Sequence, residues 1–95
     1  MPTPARTTLI SQDLTRSVRM KMELVVLGIG ERTASERHAE EEICYVLTGR
    51  GMLVGDGEPV AVNQDCSVYM APNLEHFLYN TGDSEFRYLS LMSTV

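Results

Sequence analysis

The chain has 95 residues, 43% of them hydrophobic, with 8 basic against 13 acidic residues for a net charge of −5. A chain of this size holds one small domain, burying about 60–65% of its extended surface on folding. Its longest nearly apolar stretch, Leu24 to Ile29, falls far short of the roughly 20 residues that span a bilayer, and the acidic balance offers no footprint for nucleic acid or anionic lipid.

Residues 1–6 contain two prolines and no apolar period, so they read as a flexible N-terminal arm ahead of a single domain over 7–95. They also lack the apolar core of a secretory signal. The expected compartment is therefore the cytoplasm, where Cys44 and Cys66 are thiols. A first short strand is expected at about Thr7 to Ile10. From Met20 to Ile29 residue types alternate, with Met20, Met22, Leu24 and Val26 on one face and Lys21 and Glu23 opposite, which predicts a strand whose inner face carries the methionines.

Gly28 and Gly30 break that strand, and Glu31 to Glu41 is a polar, aperiodic loop, long enough to suggest a functional part. Ile43 to Leu47 is β-prone; Gly49-Arg50-Gly51 turns into Met52 to Val54, and Asp56-Gly57 returns the chain into Val60 to Val62. Val68 to Met70 is a strand stopped at Pro72-Asn73. His76 to Tyr79 restarts it, and after a turn at 80–83 a closing strand runs from Phe86 to Met92. Seven to nine short strands with almost no helix predict an all-β fold, an antiparallel sandwich or barrel.

The chain has two histidines, His38 and His76, each at the start of an apolar strand after a polar loop. Glu42 follows His38 by four residues, on the strand side shared by Cys44 and Val46. Antiparallel topology can gather two such strand starts at one barrel mouth. Two imidazoles and a carboxylate on one side of a divalent ion make a competent site for Fe(II), Mn(II), Ni(II) or Zn(II). The residues alone leave open that His38 is a solvated loop histidine and His76 a hydrogen-bonded strand residue.

Order and spacing resemble the cupin superfamily. Its first motif, Gly-x5-His-x-His-x3,4-Glu-x6-Gly, is matched by Gly30, Glu36, His38, Glu42 and Gly49, with Glu36 standing where the family has its first histidine. The second, Gly-x5-Pro-x-Gly-x2-His-x3-Asn, is matched at His76 and Asn80, with Asp65 and Asn73 in place of the two glycines and Ala71 in place of the proline. The resemblance covers about residues 20–92. It implies a single-domain jelly-roll barrel with one divalent metal ion in its mouth, held by His38, Glu42 and His76. Glu36 is expected as a fourth ligand, giving a two-His, two-Glu set; the alternative is that Glu36 turns to solvent and leaves three ligands.

The function so implied is a metal-dependent cupin enzyme acting on a small organic substrate by oxygenase or by isomerase, cyclase or lyase chemistry, with Glu42 or Glu36 as a general base if its pKa is raised. The alternatives are a non-catalytic ligand-binding or regulatory cupin and a structural subunit with a filled barrel. A homodimer is expected, because a small open jelly roll leaves edge strands that need cover.

Among lesser features, Glu40 and Glu41 read as a solvated face, and Arg37 and Arg50 as surface pairs or as contacts to a substrate anion. Cys44 should point inward as a small hydrophobe. Tyr69 and Tyr79 are candidates to reach the cavity, and Met20, Met22, Met70 and Met92 to line it.

Overall fold

The computed structural model describes residues 5–10 and 19–93. Eight strands follow in chain order: β1 (Ala5–Ile10), β2 (Met20–Leu27), β3 (Glu41–Thr48), β4 (Arg50–Val54), β5 (Val60–Asn63), β6 (Ser67–Met70), β7 (Phe77–Asn80) and β8 (Phe86–Ser93). All pairings are antiparallel, in a five-stranded sheet of order β1-β2-β8-β3-β6 and a three-stranded sheet of order β5-β4-β7. The described residues contain no helix, so none is long and apolar enough to cross a membrane. β1 takes in Ala5 and Arg6, which the sequence places in the arm, while residues 1–4 lie outside the described residues.

The core sits between the two sheets. Val25 and Leu27 from β2, Val46 from β3 and Phe86 and Tyr88 from β8 meet Leu53, Val62 and Leu78 from the smaller sheet. The Phe86 and Tyr88 rings lie 5.2 Å apart at a tilt. Gly51 in β4 lets the sheets close, since a Cβ there would strike the Tyr79 carbonyl oxygen and the Phe86 ring. Buried Asn80 ties the turns at one end together: its amide donates to the carbonyls of Leu27, Gly28 and Ser84, and its oxygen accepts from the Gly82 N–H.

The orientation of β2 corrects the sequence reading. Glu23, Val25 and Leu27 face inward, while Met20 is 46% exposed and Met22, Leu24 and Val26 lie on the outer face. Alternation could not choose a face here because both are apolar over Leu24 to Leu27, and register with β8 decides. Val25 and Glu23 align with Tyr88 and Ser90, both buried, whereas Leu24 and Met22 align with outward Leu89 and Leu91. Of the methionines expected inside, Met70 and Met92 are buried and Met20 and Met22 are not. Tyr69 and Tyr79 are likewise exposed, Tyr69 donating its hydroxyl to Glu41.

Two turns carry a backbone signature. Asp65 and Asn73 hold positive φ of 65° and 63°, as do Gly30 and Gly49. Asp and Asn tolerate the left-handed region better than other side chains, so they can stand where the motif has glycine.

Candidate metal centre

The long loop between β2 and β3 is stitched to the strand opposite it. Thr33 N–H donates to the Leu78 carbonyl, and the Leu78 N–H returns a bond to the Thr33 hydroxyl. Glu36 and His76 then form an isolated antiparallel bridge with N–H to O distances of 2.8 and 2.9 Å. The Asn73 N–H donates to the His38 carbonyl at 2.7 Å. Backbone bonds thus fix three residues that come from distant parts of the sequence. Glu42, the first inward side chain of β3, completes the group from below.

The four side chains expected as ligands are brought together. His38 Nε2 lies 3.1 Å and His76 Nε2 3.3 Å from the same oxygen, Oε1 of Glu42. The two rings stand edge to face with centroids 5.2 Å apart. Glu36, His38 and His76 each offer a ligand atom, and these atoms all lie within 4.8 Å of one another.

Each imidazole is oriented from behind: Nδ1 of His38 is 2.9 Å from the Glu40 carbonyl oxygen and Nδ1 of His76 is 2.8 Å from that of Leu74. A carbonyl only accepts, so each Nδ1 carries a proton and each Nε2 is the ring nitrogen left facing Glu42. A carboxylate oxygen only accepts, so each Nε2 contact to it is made either by a proton on Nε2 or by a metal ion that the nitrogens and the carboxylate share. The donor set of two imidazoles and carboxylates fits a first-row divalent ion, and the hydrogen-bonded Nδ1 groups are the outer support such ligands usually have.

Electrostatics agree with a site that keeps its charge. Burial pushes the Glu42 carboxyl up, but hydrogen bonds from His76, Ser90 and Cys44 outweigh it and hold its pKa at about 2. Ser90 Oγ donates to Glu42 Oε2 at 2.6 Å and Cys44 Sγ at 3.3 Å. The hydrogen bond to Glu42 raises His76 above the ordinary imidazole value against the effect of burial. Glu42 is thus held as a carboxylate, the form that can face a cation.

Three further residues belong to the site. Ser90 faces inward because β8 alternates Phe86, Tyr88, Ser90 and Met92 into the core, a pattern the two aromatics make readable. Glu23, buried at the inner face of β2, accepts from Arg6 Nη1 at 3.1 Å, and Arg6 Nη2 donates to Glu36 Oε1 at 2.9 Å. Both were missed for stated reasons: Arg6 lay in the presumed arm, and Glu23 on the presumed outer face. Cys44 is inward and 1% exposed, as its parity predicts, and burial followed by the neighbouring Glu42 charge pushes its thiol far up. Arg37 pairs with Glu75 at 3.4 Å on the surface. A groove of about 640 Å³ borders the site at His76, lined also by Arg37, Pro72 and Phe77.

Comparison with known proteins agrees with this architecture. The cupin domain family model matches residues 23–92. An uncharacterized protein of Methanocaldococcus jannaschii is 27% identical over 82 residues, 85% of this chain and 66% of that relative's length. Among solved structures, a Cupin 2 conserved barrel domain protein from Salinispora arenicola superposes with a TM-score of 0.82 at 24% identity, covering 94% of this chain and 74% of its own. A predicted oxalate decarboxylase from Thermotoga maritima superposes with a TM-score of 0.85 at 20% identity, covering 98% and 93%. With the family model spanning most of its strands, and with an all-β fold of two antiparallel sheets, the chain belongs to the cupin domain family.

Proposed function

We propose that this protein is a metal-dependent cupin that holds one divalent transition-metal ion on His38, His76 and Glu42, with Glu36 as a fourth donor, and acts on a small organic molecule at that site. One observation carries the reading: both imidazoles spend Nδ1–H on a carbonyl and turn Nε2 toward one Glu42 oxygen. An ion of this kind, when bound, supplies Lewis acidity and, if it is iron, access to redox chemistry. The chain's own residues do the rest. Ser90 and Cys44 hold Glu42 in one orientation, the bridge to His76 fixes the backbone of Glu36, and proton transfer falls to Glu36, whose side chain is 34% exposed.

Titration with Co(II) tests the site: visible ligand-field bands that saturate at one equivalent support it, and their absence removes it. Incubating the loaded protein with bound organic molecules and looking for product separates the enzyme from a ligand-binding cupin.

The assembly we propose is a homodimer in the cytoplasm. Both cysteines are free thiols, as a reducing compartment allows. The outer face of the larger sheet is apolar in two rows, Met22-Leu91-Ile43-Tyr69 and Leu24-Leu89-Tyr45, with Ile43 45% and Tyr69 57% exposed. An antiparallel sheet apolar on both faces calls for a second layer, and a second copy presents a matching one.

A further inference from the structure

Arg6 aligns with Val25 of β2, in the row that continues through Tyr88 and Val46, all three buried. Its guanidinium reaches two carboxylates that differ in kind. Glu23 is 9% exposed at its side chain and also lies 3.7 Å from Lys21 Nζ, whereas Glu36 is 34% exposed and has no other side-chain hydrogen bond among the described residues. The guanidinium is therefore anchored at one end and exchangeable at the other. The Glu36 backbone is pinned by its bridge to His76, so exchange asks only for rotation of the Glu36 side chain.

The place now held by the Glu36 carboxylate has a second property. It touches Arg6 at 2.9 Å while Glu36 offers a ligand atom within 4.8 Å of those of His38 and His76. A carboxylate there is gripped by a cation on one side and faces the imidazole pair on the other. We propose that Arg6 is the specificity-determining residue of the Glu36–His38–His76 cluster, that the ligand is a small carboxylic acid, and that its carboxylate takes the place of Glu36 on the Arg6 guanidinium. Replacing one carboxylate by another keeps the guanidinium neutralised, and the buried Glu23 keeps it aimed. A neutral amide of the same shape makes a hydrogen bond there without the charge assistance.

This inference deepens the proposed function and rests on that site as the place of binding; it does not require that a metal ion be present. The test uses acetate and the isosteric acetamide as probes, followed by amide chemical shifts in the full chain, zinc-treated and metal-free, with zinc content measured on each sample. Removing the internal competitor in Glu36→Gln should tighten acetate binding about tenfold and leave acetamide unchanged, and adding Arg6→Gln to that variant should abolish the gain. A purely structural role for Arg6 cannot produce a gain. Because Arg6→Gln removes a partner of buried Glu23, Arg6→Lys in the same background serves as the second variant, expected to keep part of the gain. No tightening in Glu36→Gln, or a gain that survives in the double variant through the metal alone, overturns the proposal. Absence of zinc from every sample, with the acetate gain intact in metal-free Glu36→Gln, sinks the metal reading and leaves the carboxylate site standing.

Discussion

Glu36 and His76 face one another across an antiparallel bridge whose two N···O distances are 2.8 and 2.9 Å, so the loop that carries the candidate donors Glu36 and His38 is held by the residue just before β7 that carries a third, His76. Such a site is built before any ion arrives. Stripping metal with a chelator should therefore leave the β-sheet circular dichroism unchanged, and adding ion at 100 times its Kd should add about 2.7 kcal/mol of stability, about 10 °C or more in Tm. Loss of folded signal on chelation, as in domains whose folding depends on metal, would contradict a preformed site.

Asn73 holds a φ of 63° at a position where the family motif has glycine, and its N–H donates to the His38 carbonyl. Asn73→Gly is expected to stay within about 0.5 kcal/mol of wild type, while Asn73→Ala costs about 1 kcal/mol, because alanine is less tolerant of the left-handed region. Denaturant unfolding of both variants measures the difference. Equal stability of the two would mean that the backbone at this turn relaxes.

The thiols should separate cleanly. Cys44 is 1% exposed, donates to Glu42, and has its thiol pushed far up by burial and then by the Glu42 charge, whereas Cys66 is exposed. A thiol reagent should titrate one group in the native protein and two in denaturant. Rapid reaction of Cys44 in the native state would mean that the barrel opens around Glu42.

The apolar outer face makes a claim about mass. Light scattering should give twice the 10.6 kDa of one chain. Ile43→Lys, placed where Leu91 and Tyr69 flank it, should return the monomer without loss of fold. A wild-type monomer would leave that face without the partner assigned to it.

Much of this molecule was legible in its sequence, for physical reasons that can be named. Strand positions followed from turn residues such as Asp56-Gly57 and from β-prone apolar runs such as Ile43 to Leu47, and strand parity put Cys44 and Val46 on the side of Glu42, which is the inward side of β3. Motif spacing chose the four candidate ligands; Glu36, His38 and His76 offer ligand atoms within 4.8 Å of one another, and Glu42 Oε1 lies beside both imidazoles. β2 failed because its outer face is apolar as well, so the pattern favoured Met22 and Leu24 when register with Tyr88 and Ser90 turns Glu23 and Val25 inward. Arg6 and Glu23 were invisible for a related reason. A buried carboxylate is recognised through its charged partner, and here Arg6 and Glu23 lie 17 residues apart on neighbouring strands.

Metal content by inductively coupled plasma mass spectrometry decides whether His38, His76 and Glu42 bind a metal ion. Untagged wild type, His76→Ala and Glu36→Ala should be compared after reconstitution with Fe(II), Mn(II), Ni(II) and Zn(II). About one equivalent of a single ion is expected in wild type, lost in His76→Ala and bound about 10-fold or more weakly in Glu36→Ala. Wild type that stays metal-free with all four ions would overturn the metal site and leave Nε2–H groups to make the contacts from His38 and His76 to Glu42.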